Sequence, residues 1–249
     1  MNLAKKLLWH IGIDVRLRRN VEAYYQREWE EKWADNYLFL KDLGIKTVLD
    51  IGANRGQFAK MIRHACPDLH EIHSFEPLTE CHSDLECAVR DSNLTHKIHA
   101  FGLGDKNEGI QINHCEFSPC SSILTPSDRL VADRPGAGKF EKKTIRVRRL
   151  DDFAAEHSLP EADLIKIDVQ GYEDKVISGG SATLSKARFV IIEMPFHSLY
   201  EKQPSFHDVY MMLHNLGFTF QGNAGQNVSK KDHKILEADS IFENQNISQ

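Results

Sequence analysis

Val48-Leu49-Asp50-Ile51-Gly52-Ala53-Asn54-Arg55-Gly56 is the stretch on which the fold turns. It closes a short run, 47–51, rich in β-branched and aliphatic residues, and opens a segment with helical spacing from Gln57 to Cys66. An apolar run of this kind reads as a strand covered on both faces, as in a parallel sheet. Glycines at the strand-to-helix turn let the backbone bend sharply and approach a ligand closely, as nucleotide-type cofactors require. A dinucleotide turn is G-x-G-x-x-G, with its second glycine where the pyrophosphate meets the backbone. Asn54 stands at that position, and its side chain would crowd a pyrophosphate. S-adenosylmethionine has no phosphate, so G-x-N-x-G suits it better. The plainer alternative is a strand-to-helix turn with no ligand.

Outward from this turn, the runs Leu164 to Val169 and Phe189 to Met194 have the same buried-strand character. Helical spacing covers 79–90, 172–184 and 206–216, the last with Val209, Met212, Leu213 and Leu216 on one face. Alternating strands and helices predict a doubly wound, mostly parallel α/β sheet. The runs 218–221 and 240–243 would close it as an antiparallel pair. Residues 21–43 read as a helix whose aromatics, Tyr37 among them, serve packing. The expected division is a helical extension, 1–45, followed by one domain, 46–249. The stretch 117–143, with Pro119, Pro126, Pro135, Gly136 and Gly138, reads as a long loop, a candidate acceptor-side lid or else a surface insertion.

Composition narrows the function classes. The 249 residues are 41% hydrophobic and 27% charged, enough for a packed core, and a net charge of −5 gives no reason to expect a nucleic-acid partner. Five cysteines are an odd number with no C-x-x-C pair, which favours free thiols in a reducing cytoplasm. His64, Cys66, His70 and His73 lie close in sequence but should diverge across helix, loop and strand, so no metal is expected. No apolar run reaches the ~20 residues of a membrane span, and no signal-peptide pattern opens the chain. The amphipathic start, with Leu3, Leu7, Leu8 and Ile11 among lysines, leaves peripheral membrane contact as the weaker alternative to packing.

Carboxylates supply the chemistry. Phe75-Glu76-Pro77 ends the next strand, where an acid can accept hydrogen bonds from both ribose hydroxyls. Lys166 and Asp168 are two apart and share one face of a strand that ought to be buried. Burying charges costs several kcal/mol unless they are paired or useful, so a structural pair is the alternative to a site. Glu173 opens the following helix and Glu193 ends the next strand, so carboxylates from adjacent strand ends would converge on one pocket.

VLDIGANRGQF, HSFEP, FGLGD, RRLDDF, DLIKIDVQGYEDKVISGG, FVIIEM and ADSIF, in this order, resemble the FkbM-type methyltransferases. The resemblance implies a seven-stranded sheet of order 3-2-1-4-5-7-6 with S-adenosylmethionine over its carboxyl edge. It also implies O-methylation of a sugar, glycan or secondary-metabolite hydroxyl. On that basis Asp50, Gly52, Ala53, Asn54 and Gly56 would face the methionine part, and Phe75 and Glu76 the ribose. Gly102, Leu103 and Asp105 would lie near the adenine, and Asp168 near the reacting methyl. A hydroxyl acceptor calls for a base; the order of preference is Asp168, Glu173, then His197, with Glu193 converging and Lys166 steering. The rival readings are a nucleotide-sugar or NAD-dependent Rossmann enzyme and a non-catalytic binding module. The partner expected is a small-molecule or glycan acceptor.

Overall fold

In the computed structural model, which describes residues 35–90, 93–115 and 118–247, the turn at Gly52 follows strand β1 (Thr47–Ile51). β1 is buried on both faces from Val48 onward. Asp163 fastens its start, Oδ2 accepting the backbone N–H groups of Lys46 and Thr47 at 2.8 and 3.0 Å. After it come β2 (Glu71–Phe75), β3 (Thr95–His99), β4 (Gly102–Leu103), β5 (Glu108–Cys115) and β6 (Phe140–Arg148). The remaining strands are β7 (Leu164–Ile167), β8 (Phe189–Pro195), β9 (Phe218–Val228) and β10 (Ile235–Asn244). The helices are α1 (Gln57–Ala65), α2 (His82–Ala88), α3 (Asp128–Asp133), α4 (Leu150–His157), α5 (Glu173–Gly179), α6 (Ser181–Leu184) and α7 (Phe206–Asn215).

The main sheet has seven strands in the order β3-β2-β1-β7-β8-β10-β9, parallel except for β10, which runs antiparallel to both of its neighbours. The numbering departs from the expected 3-2-1-4-5-7-6 because β4, β5 and β6 intervene. They form a second, three-stranded sheet of order β4-β6-β5. With those three set aside, the large sheet retains the 3-2-1-4-5-7-6 connectivity.

One face of the sheet packs Leu49, Ile51, Ile165 and Ile167 against α4, α5 and α7 through Phe153, Val176, Val209 and Leu213. The other packs Val48, Ile72, Leu164 and Ile191 against α1, which turns Phe58, Ala59, Met61, Ile62 and Ala65 inward. Tyr37 and Leu40, N-terminal to the expected boundary, are buried in this second layer. Asp35 is helical, but a short 3-10 turn, Leu38–Leu40, stands in place of the last part of the expected helix; residues 1–34 and the features read there lie outside the described residues. The helical reading of 172–184 divides into α5 and α6 at Gly180, and 79–90 opens with a 3-10 turn before α2.

The expected loop at 117–143 is built otherwise. It contains α3, two 3-10 turns and the first residues of β6. Leu130 and Ala137 are buried with Cys115, Cys120, Leu199, Tyr200 and Leu236 in a small core of their own. Among the described residues no helix is long and apolar enough to cross a membrane.

Candidate active site

The carboxyl ends of β1, β2, β7 and β8 and the amino end of the antiparallel β10 open on one cavity of about 900 Å³. This is the edge at which open α/β sheets bind ligands, and the volume lies near the top of the range for small-molecule sites. The second sheet and the 119–137 segment wall it.

At one end lies the glycine turn. Gly52 has φ +83°, and a Cβ there would overlap the carbonyl of Asp168, so the ends of β1 and β7 pack backbone to backbone. The Asn54 amide donates to Glu76 Oε2 at 2.8 Å and the Leu78 amide to Oε1 at 2.7 Å. Glu76 is thereby aimed into the cavity with lone pairs to spare. Burial pushes its carboxyl up to about 7, against the pull of those two amides. Asp50 also lines the cavity and is buried; among the described residues its Oδ2 has no hydrogen-bond partner. Burial raises Asp50 to about 7, with Lys166 opposing. A buried, unpaired acceptor facing a cavity needs a donor from whatever fills it. A nucleoside-type ligand with hydroxyl and amino donors fits this end.

At the other end is a cluster of charges on the last residues of β7 and β8 and the first residues of β10. Lys166 Nζ lies 2.9 Å from Asp239 Oδ1 and 3.5 Å from Asp168 Oδ2. Burial works to depress this ammonium, but the carboxylates of Asp239 and Asp168 override it and hold it well above the ordinary lysine range. Gln170 Nε2 donates to both Asp168 Oδ1 and Glu193 Oε2, each at 2.7 Å, while its Oε1 accepts the Tyr200 hydroxyl at 2.7 Å. Burial, with Asp168 adding to it, pushes Glu193 well above the ordinary carboxylate range. Glu237 accepts from Arg134 at 3.2 Å and Asn227 at 2.9 Å.

Asp50, Gly52, Ala53, Asn54, Phe75, Glu76, Gly102, Leu103, Lys166, Asp168 and Glu193 thus meet at one cavity. Four expected residues do not line it. Gly56, at φ +81°, is pressed against Ala88 and Leu85 under the turn, and Asp105 faces Lys175 at 3.9 Å. Glu173 is buried behind the site, its Oε1 accepting the amides of Gly171 at 3.1 Å and Val169 at 3.3 Å; it braces the turn after β7. His197 sits beyond the end of β8, where its amide pairs with the carbonyl of Leu236.

Asp239, Gln170, Tyr37, Glu237 and Arg134 were not foreseen as site residues. The alternation Glu237-x-Asp239 was a usable signal, since it sets two acids on one face of a strand. The Tyr37 ring packs on Phe58, as its helical spacing leads one to expect, but its hydroxyl also donates to Asp239 at 2.9 Å. Nothing local announced that partner, 202 positions away.

An open sheet with its cofactor-type turn and carboxylate cluster on one edge places the chain in the Rossmann-like methyltransferase class. Its fold matches that of methyltransferase FkbM from Methylobacillus flagellatus at TM-score 0.53, with 15% identity over 80% of this chain and 44% of that one. It also matches an O-methyltransferase from Bacillus cereus at TM-score 0.51, with 9% identity over 97% of each chain. Residues 50–220 match the Methyltransferase FkbM domain, and the chain belongs to that family. The 2-O-methyltransferase NoeI of Sinorhizobium fredii is 30% identical over 207 residues, covering 78% of this chain and 81% of the relative.

Proposed function

We propose that the chain methylates a hydroxyl oxygen of a sugar, glycan or other small-molecule acceptor, with S-adenosylmethionine as donor and Asp168 as general base. Bound S-adenosylmethionine supplies an electrophilic methyl group on a sulfonium. Glu76 and Oδ2 of Asp50, which has no hydrogen-bond partner among the described residues, would accept its hydrogen bonds, with Gly52 and Ala53 lining the cavity beside them. Phe75, Gly102 and Leu103 line the same end.

The observation that carries the base assignment is which carboxylate stays available. Both oxygens of Asp239 are engaged, by Lys166 and by Tyr37. Glu237 pairs with Arg134 and Asn227 through Oε1, and burial favours the protonated forms of Glu193, Asp50 and Glu237. Asp168 keeps 35% of its side chain exposed, and among the described residues its Oδ2 has only the 3.5 Å contact with Lys166. An acceptor hydroxyl placed there would give its proton to Asp168 as the oxygen attacks. Holding the two reactants in line is the larger task, contributing about 7–11 kcal/mol in well-oriented systems. The resemblance to NoeI supports oxygen as the acceptor atom.

Two measurements test this. S-adenosylmethionine and S-adenosylhomocysteine should raise the melting temperature by mass action, with NAD far weaker; a larger shift with NAD would overturn the donor assignment. Mass spectrometry of a sugar and glycolipid panel with methyl-labelled donor identifies the acceptor. On that acceptor Asp168→Asn should lower turnover by about 10²–10⁴-fold, the usual contribution of a general base, and leave donor affinity nearly intact. Unchanged turnover would remove Asp168 from the role.

A further inference from the structure

Lys166 stands between two carboxylates and favours one of them. Its ammonium reaches across β8 to β10, where Asp239 Oδ1 is 2.9 Å away; Asp168 Oδ2, from its own strand end, is 3.5 Å away. The first separation is a charge-assisted hydrogen bond and the second a looser ion contact. Tyr37 fixes the arrangement from the other side, its hydroxyl donating to Asp239 Oδ2 at 2.9 Å. Tyr37 and Lys166 are 1% and 4% exposed, so packing sets their positions. With a donor on each oxygen, Asp239 is poorly placed to take a proton itself.

We propose that Asp239 is a positioning residue: it draws the Lys166 ammonium away from Asp168 and so keeps the Asp168 carboxylate an effective proton acceptor. This rests on the reading of Asp168 as the base. A cation in close contact stabilises an ionised carboxylate and thereby weakens it as a base. Asp239 opposes that weakening twice, by occupying the ammonium and by adding its own negative charge nearby. The other charged or titratable groups around the cavity include Asp50 from β1, Glu76 after β2, Glu193 from β8, Glu237 from β10, and Asp133 and Lys230 in the wall, with Glu173 buried behind the turn that carries Asp168. Arg134, from the wall, is held by Glu237 at 3.2 Å. Among the described residues Lys166 is the cation paired with Asp168.

The test is Asp239→Asn in the full chain, read in two ways. A crystal structure of the ligand-free variant should show the ammonium drawn onto Asp168, the 3.5 Å separation closing to about 3 Å or less. In methyl transfer to the acceptor that the panel identifies, the acid limb of the pH–rate profile should move to lower pH and the plateau should fall several-fold. Donor affinity should hold, and Asp239→Glu should restore the limb. A purely structural role would lower the melting temperature with the limb in place. An ammonium that stays put in the variant, or a limb that does not move, overturns the proposal for Asp239 and leaves the base assignment standing. Full turnover in Asp168→Asn instead sinks the base assignment, and the proposal with it, while the crystal still reports where the ammonium lies. If Asp239→Asn fails to fold, Tyr37→Phe carries the test with opposite sign. Relieved of one donor, Asp239 should hold the ammonium harder, with the Lys166–Asp168 separation no shorter and the limb moved to higher pH. A shorter separation or a downward shift would count against the idea.

Discussion

Gly52 and Glu76 show how single residues set this site. The φ of +83° at Gly52 and the lack of room for a Cβ both require glycine. Glu76 is held by two backbone amides, so its orientation does not depend on a flexible partner. Glu76→Ala should weaken S-adenosylmethionine binding by roughly 1.5–3 kcal/mol, the scale of hydrogen bonds to a charged group. Calorimetry checks it, and unaltered affinity would mean that the ribose lies elsewhere. This residue was legible in the sequence because it lies one βα unit after the glycine turn, where the next strand ends. Glu173 and His197 were misplaced for the converse reason. Sequence neighbours of a strand end can point behind the sheet or past it, and only packing decides which.

At the scale of elements, the 118–138 segment is a wall rather than a loose loop. Ser122 exchanges backbone hydrogen bonds with Asn113 at 2.8 and 3.2 Å and donates its hydroxyl to the Gln170 carbonyl at 2.6 Å. Ser127 caps α3, and Asp133 accepts from the Ser229 hydroxyl at 2.7 Å. A segment tied in this way should be ordered before any ligand arrives. In ligand-free protein the amides of Ser122, Ser127 and Arg134 should therefore exchange slowly. Fast exchange that slows only with donor and acceptor present would restore the lid. Prolines and glycines in this stretch drew the loop reading, but they mark its turns and conceal the short helix between them. The second sheet has no such signal either: β4 is only two residues long, and three of the eight residues of β5 are exposed, so neither has the apolar run of a buried strand.

Over the whole molecule, stability should depend on pH through buried titratable groups. On the outer strands β2 and β3, His99 lies 3.0 Å from His73 and stacks on Phe75 at 4.6 Å between centroids. Burial, with His73 adding to it, pushes His99 from 6.5 down to about 4. The unfolded chain therefore binds more protons between these values. The contribution of His99 is complete above about 6.5 and is lost as pH falls towards about 4. Asp50, Glu76 and Glu173, each raised by burial to about 7, act in the opposite sense, losing stability as pH rises through that value. Comparison with His99→Phe at each pH isolates the histidine. The variant should melt lower than the unaltered chain at pH about 7.5, because His73 loses a partner, and the gap should narrow or reverse by pH about 4.5. A gap that widens on acidification would contradict the assignment.

By itself the sequence determined the parallel sheet, its glycine turn and the strand-end carboxylates Glu76, Asp168 and Glu193. Those features are local: apolar runs declare buried strands, and the residue that follows such a run lies at the sheet edge. Tertiary structure alone decided how the charges are shared. Lys166 and Asp168 are two apart in sequence, yet the ammonium turns to Asp239, 73 positions on, and Tyr37 reaches the same carboxylate from 202 positions before it. Strand order brings β10 beside β8, and a buried charge settles on the partner whose geometry best replaces water. That partner is set by distance in space, which neither spacing nor composition records.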